Sequence, residues 1–161
     1  MRTAELVARL TDAGLTVATC ESLTAGKLAA AIADVPGASA VLRGGLVTYA
    51  RDLKTALAGV DADLLAASGA VHPQVAAQMA TGAARACRAD IALACTGVAG
   101  PDPQDGQPVG RVFTALLVPH MTAPEVVGHD FSGDRAAIRQ ATVEACLSQL
   151  ASWVQDRWAL S

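Results

Sequence analysis

The chain has 161 residues, 52% of them hydrophobic and only 3% aromatic, and a formal net charge of −3. That length suits one domain whose core holds together without disulfides or a structural metal. The acidic balance leaves no basic face for nucleic-acid phosphates, and no segment approaches the roughly 20 apolar residues of a membrane span, so neither nucleic acid nor membrane is an expected partner.

In chain order, Leu6, Val7 and Leu10 share one face of a first helix, and Gly14 suits its C-terminal turn. Residues 15–20, LTVATC, read as a strand. Thr24 to Ala33 are good helix formers with Leu28 and Ile32 four apart, and DVPGAS after them is turn chemistry. GGLVTYA (44–50) reads as a glycine-led strand, followed by short helices over RDLKTAL and DADLLAAS. His72 before Pro73 marks the start of a long helix. DIALACTG (90–97) is continuously apolar, the pattern of a central strand covered on both faces. A loop rich in Gly, Pro and Asp follows, then strands over RVFTALLVP and around EVVGHDF, then a last helix begun by Ser132 and Asp134 and running to about Trp158. Strands alternating with helices predict an α/β fold: a single-domain three-layer α/β/α sandwich with a mixed sheet, over residues 1–161. With so few aromatics, its core must be closely packed Ala, Val, Leu and Ile among many glycines.

The four cysteines, Cys20, Cys87, Cys95 and Cys146, form no C-x-x-C pair and have no histidine at metal-ligand spacing. They read as small buried hydrophobes in a reducing compartment, and no metal is expected. Glu5 and Asp12 interrupt an N-terminal stretch with a helical apolar period, unlike the basic start and apolar core of a signal peptide, so a cytoplasmic protein is expected.

Four places could carry chemistry. In CESLTAGKL (20–28), Ser22 lies in the turn between a buried strand and a helix, where free backbone N–H groups and the helix dipole favour anions. Ser22 or Thr24 caps that helix, or Ser22 is a nucleophile; both readings stay open. The stretch is no P-loop, since Lys27 is followed by leucine, and no S-x-x-K or G-x-S-x-G motif is present. His72, His120 and His129 have no acid paired with them, and ordinary surface or capping roles account for them. In TYARDLK, Lys54 could act as a base if desolvated, with Tyr49 relaying or orienting the proton; both also read as plain surface residues. The loop Thr96-Gly97-Val98-Ala99-Gly100 follows the most buried strand, where α/β sheets place ligands, although a flexible turn explains it too. Arg135 and Arg139, four apart, could hold an anion or form a helical surface pair with Asp134.

Together, in order, these segments resemble the CinA C-terminal domain family, the nicotinamide-nucleotide amidases. The matching stretches are ESLTAG (21–26), PGAS (36–39), GGLVTYARDLK (44–54), GAVH (69–72), TGVAGP (96–101), PVGRV (108–112) and FSGDRAAIR (131–139). The resemblance implies a hydrolase of the pyridine nucleotide cycle. It converts the carboxamide of nicotinamide mononucleotide to nicotinate mononucleotide and ammonia, without metal or cofactor. It puts the nucleophile on Ser22 and its assistants on Tyr49 and Lys54. Thr24, Ala25 and Gly26 would supply backbone donors to the oxyanion, worth about 3 kcal/mol each. Thr96, Gly97 and Gly100 would hold the nucleotide, and Arg135 or Arg139 its phosphate. Departures from the family pattern are Leu23, Ala25, Ala50-Arg51 and His72. A homodimer or higher homo-oligomer is expected for a small Ala- and Gly-rich domain with exposed helix faces.

Overall fold

The computed structural model describes residues 1–159; residues 160 and 161, the end of the expected domain, lie outside the described residues. Helix α1 (Thr3–Asp12) leads into β1 (Val17–Glu21), α2 (Lys27–Ala33) and, after a 3-10 turn at Ala38–Ala40, β2 (Leu42–Val47). Helices α3 (Arg51–Ala58), α4 (Ala62–Ser68) and α5 (Pro73–Cys87) precede β3 (Ile91–Gly97). The antiparallel strands β4 (Arg111–Leu117) and β5 (Glu125–Asp130) and the long helix α6 (Arg135–Ala159) complete the domain.

The sheet order is β2-β1-β3-β4-β5, with β1 parallel to both neighbours and β4 antiparallel to both of its own. The mixed sheet and the three layers of the sequence reading are therefore present, with α1, α2 and α6 on one face and α5, carrying α3, on the other. Alternation along the strands divides the two interfaces chemically. Ile91, Leu93 and Cys95 of β3 face the α1/α2/α6 layer, while Ala92 and Ala94, with Ala18 and Ala115 of neighbouring strands, face α5. The alanine face lets α5 sit close with its own Ala76, Ala80 and Ala83. Gly82 goes further, for a Cβ there would overlap the carbonyl of Ala58 in α3. Close backbone approach thus replaces large side chains, which is how a chain with 3% aromatics fills its core.

The path from β1 through α2 to β2 runs to one side of β1, and the path from β2 through α5 to β3 returns to its other side. Right-handed crossovers in opposite directions place the two sets of helices on opposite faces, and at that reversal the C-terminal ends of β1 and β3 part to leave a crevice. The loops after β1, β2 and β3 all meet there.

Candidate active site

A cleft of about 90 Å³ opens at that reversal, lined by Ser22 and Leu23 after β1, Tyr49 after β2, Ala70 and Val71 before α5, residues 96–100 at and beyond the end of β3, Asp102 and Gln104 further along that loop, and Arg135. The backbone of Ser22 still belongs to the sheet, since its N–H donates to the Cys95 carbonyl at 3.2 Å, and Thr48 N–H donates to the Glu21 carbonyl at 2.9 Å. These extra rungs hold the ends of all three strands in register beside the cleft.

Lys54, in the second turn of α3, sends its side chain into this end of the sheet. Its Nζ lies 3.0 Å from Ser22 Oγ, and it donates to the Thr48 carbonyl at 2.6 Å and more distantly, at 3.5 Å, to that of Tyr49. Lys54 is only 1% exposed and has no carboxylate within ion-pair distance among the described residues, whereas Ser22, at 9%, still reaches the cleft. Burial without a counter-ion penalises the ammonium, and desolvation is the main cause that pulls the Lys54 pKa below its ordinary 10.5. Of the groups that oppose it, the Cys20 thiol is itself pushed up to about 12 by burial, so at neutral pH it is uncharged and offers Lys54 little. Cys95 and Asp105 also raise the pKa, and Arg51, paired with Asp105 at 2.6 Å, lowers it. The pair that results is a hydroxyl at a cleft wall against an amine whose burial weakens its hold on a proton, the arrangement a base for that hydroxyl requires.

Tyr49 is placed differently from the sequence expectation. Its ring lines the cleft mouth, but its hydroxyl accepts from Arg135 at 2.8 Å, and it is the Tyr49 carbonyl, not the hydroxyl, that faces Lys54. Arg135 also donates to the Gly100 carbonyl at 2.6 Å, so its guanidinium bridges the mouth from α6 to the loop after β3.

The stretch after Ser22 departs from the reading of a free helix N-terminus. Helix α2 starts at Lys27, not Thr24, and its first N–H groups are already taken: the carboxylate of Glu21 accepts from Leu28 N–H at 2.7 Å and Ala29 N–H at 3.0 Å. Glu21 is fully buried and also accepts from the hydroxyls of Thr24 (2.6 Å) and Thr19 (3.3 Å). A carboxylate borrowed from the preceding strand therefore caps the helix and occupies the place an anion would take. Neither Ser22 nor Thr24 caps it. Thr24, Ala25 and Gly26 do not line the cleft. Thr24 is buried, Ala25 is exposed with φ 48°, and Gly26 takes φ 95° to turn the chain into α2. Ala25 N–H is spent on the Ser22 carbonyl at 3.1 Å. Arg139 is turned to this turn rather than to the cleft, with Nε donating to the Leu23 carbonyl at 2.8 Å and a terminal nitrogen to that of Thr24 at 3.1 Å.

At the end of β3, Thr96 donates its hydroxyl to the Ala70 carbonyl at 2.7 Å, tying the strand end to the segment that leads into α5. Gly97 is required by β4, since a Cβ would come within 2.6 Å of Val112 and 2.7 Å of the Arg111 carbonyl. Among the histidines, His72 caps α5 by accepting from Gln74 N–H at 3.1 Å, and His129 stacks on Phe131 away from the cleft. No group of three His, Cys, Asp or Glu side chains among the described residues is arranged to hold a metal ion, and no helix among them is long and apolar enough to cross a membrane.

Glu21 is the residue that sequence reasoning missed. The available signal was an acidic side chain closing a buried strand, which demands several donors nearby.

Residues 2–154 match the family model of the CinA C-terminal domain. A CinA-like protein of Geobacter sulfurreducens is 47% identical over 146 residues, covering 89% of this chain and 35% of that protein. Another from Frankia casuarinae is 46% identical over 138 residues, covering 86% of this chain and 31% of that one. This chain thus spans about a third of the length of these curated relatives. The crystal structure of the competence/damage inducible protein CihA from Agrobacterium tumefaciens superposes with a TM-score of 0.86 at 37% identity, covering 94% of this chain and 95% of that one. With the family model matched over residues 2–154 and the fold shared, this chain belongs to the CinA C-terminal domain family.

Proposed function

We propose that this domain is an amidase that hydrolyses the carboxamide of nicotinamide mononucleotide to nicotinate mononucleotide and ammonia. The observation that carries the reading is the buried, counter-ion-free Lys54 amine 3.0 Å from Ser22 Oγ at the wall of a cleft. Lys54, neutral, takes the Ser22 proton as Oγ bonds to the carboxamide carbon. It returns that proton to the nitrogen, which leaves as ammonia, and the acyl group remains as an ester on Ser22. Water then adds to the ester, giving its proton through Lys54 to the departing Oγ, and releases the acid.

The cleft, at about 90 Å³, suits a ring-sized group better than a whole nucleotide, so the pyridine carboxamide sits inside with Tyr49 beside it and the ribose phosphate lies at the mouth. Arg135 is the phosphate ligand. In taking the phosphate it releases the Tyr49 hydroxyl, which then turns toward the Ser22–Lys54 pair. The residue 96–100 loop forms the facing wall. Arg135 beside the mouth and a narrow, loop-lined pocket favour a small planar amide carrying an anionic group over a peptide. The reading includes a cytoplasmic homodimer, for which the exposed Val47, Tyr49, Leu53 and Leu57 offer an apolar surface.

Incubation of the purified protein with nicotinamide mononucleotide, beside Ser22→Ala and Lys54→Ala variants, tests it. Equal yields of ammonia and nicotinate mononucleotide that vanish in both variants are expected. Undiminished turnover in both would sink the mechanism, and tight binding without turnover would make the protein a nucleotide-binding module.

A further inference from the structure

Arg139 is half-buried on α6, has no carboxylate within ion-pair distance among the described residues, and spends its guanidinium on two consecutive carbonyls, those of Leu23 and Thr24. These belong to the two residues that follow Ser22. A planar trans peptide points its C=O and its N–H in opposite directions. By gripping the Leu23 carbonyl, Arg139 therefore fixes the direction of Thr24 N–H, and by gripping the Thr24 carbonyl it fixes that of Ala25 N–H.

The Ala25 N–H so aimed meets the Ser22 carbonyl at 3.1 Å and closes a tight turn. The N–H groups of Leu23 and Thr24 have no acceptor among the described residues, although both residues are buried, at 4% and 0% exposure. Buried backbone donors are almost always paired, so two unspent ones in succession, directly after a serine on a cleft wall, are donors held for something not part of the chain. Glu21 secures the same turn from the other side by accepting the Thr24 hydroxyl at 2.6 Å. Ala25 takes a left-handed φ of 48°, a conformation a non-glycine residue keeps only when its surroundings impose it.

We infer that Arg139 is a positioning residue, not a phosphate ligand: through the Leu23 carbonyl it sets the Thr24 N–H, and through the Thr24 carbonyl and the Ala25 N–H bond to the Ser22 carbonyl it sets the Leu23 N–H, so that the Leu23 N–H on the cleft wall, with the Thr24 N–H behind it, faces the oxygen that becomes negative when Ser22 attacks. The inference rests on the amidase reading for Ser22 as nucleophile. It needs no nucleotide, so the two can fail separately. Electrostatic stabilisation works only if the donors are pre-aimed, and a planar guanidinium fork matches two adjacent carbonyls as a lysine cannot.

The test is the rate at which a fluorophosphonate, which builds negative oxygen at the same place and carries no nucleotide, labels Ser22 in the intact protein, read as a mass adduct. In Arg139→Met labelling slows by about 100-fold, in line with the loss of an oxyanion donor. Turnover of nicotinamide mononucleotide shows a matching loss in kcat with KM within about threefold. Arg139→Lys, which keeps the charge and one bond, falls between. A phosphate ligand gives the opposite pattern, KM rising while labelling is unchanged, and that result overturns the inference. Thermal unfolding monitors folding. If Arg139→Met does not fold, Arg139→Lys decides by the same split, a kcat-led loss supporting the inference and a KM-led loss overturning it. Wild-type protein that labels but leaves the mononucleotide intact removes the substrate assignment, and the labelling rates still decide the role of Arg139. Wild-type protein that does not label overturns both.

Discussion

Replacing Lys54 with methionine separates what the buried amine costs the fold from what it contributes to chemistry. Methionine keeps the side chain out to its fourth atom and removes the charged amine. In the wild type, every unit by which burial lowers the Lys54 pKa costs about 1.4 kcal/mol of stability at pH values below the lowered folded pKa, a cost that fades as pH rises toward 10.5. Against this, methionine forfeits the 2.6 Å bond to the Thr48 carbonyl and the contact with Ser22, about 1–2 kcal/mol in all. The two sides act in opposite directions. The variant is therefore expected to unfold within about 2 kcal/mol of the wild type at pH 7, where loss of one partner from a buried ion pair would cost about 3–5 kcal/mol. The pH dependence carries the sign. Between the lowered folded pKa and 10.5 the unfolded chain binds the proton that the folded chain has released, so wild-type stability rises with pH relative to the variant across that window. Urea unfolding of both proteins from pH 6 to 10, with amide hydrolysis measured alongside, reads both quantities. A variant destabilised by more than about 3 kcal/mol, with the difference growing toward low pH, would mean that the native state favours the ammonium and would refute the reasoning.

Two further outcomes follow from the same geometry. Glu21→Gln exchanges a carboxylate with four donors for an amide that turns an N–H toward one of them, and is expected to cost about 3 kcal/mol, a Tm decrease of roughly 6–12 °C by differential scanning calorimetry. An unchanged Tm would show that the α2 cap contributes nothing. Arg51→Met removes a cation that lowers the Lys54 pKa while leaving Asp105, which raises it, so the ascending limb of kcat/KM against pH moves to higher pH. That displacement shrinks in 1 M salt, where the screening length falls to about 3 Å; a limb that stays in place would remove Arg51 from the electrostatics of the site.

Most elements could be read from periodicity and end signals, because those are local. The Leu6, Val7, Leu10 face of α1, Pro73 behind the His72 cap of α5, and the continuous apolar run of β3 all stand where the sequence places them. The boundaries that shifted did so through contacts distant in sequence. β1 runs on to Glu21 because that side chain finds its donors seven and eight residues later, and the same contact starts α2 at Lys27 instead of Thr24. β2 spans Leu42–Val47 rather than 44–50, its last residues becoming the loop that brings Tyr49 to the cleft and the Thr48 carbonyl to Lys54. In the site, the motif order marked Ser22, Tyr49 and Lys54, and the fold brings Ser22 and Lys54 into contact from 32 residues apart. Spacing could not show that Arg139 reaches 116 residues back to the Leu23 carbonyl while Arg135, one turn away on the same helix, holds the mouth. Both arginines carry the same charge at helical spacing, and only the packing of α6 against α2 and the residue 96–100 loop tells them apart.

The central claim is that Ser22 becomes acylated with Lys54 as its base. Rapid acid quench of the protein during turnover of nicotinamide mononucleotide, followed by peptide mass spectrometry, observes the claimed species. The account predicts a peptide containing Ser22 heavier by the substrate less ammonia, absent from Ser22→Ala and strongly diminished in Lys54→Met. Turnover at full rate with Ser22 unmodified at every quench time, and undiminished in Ser22→Ala, would contradict it.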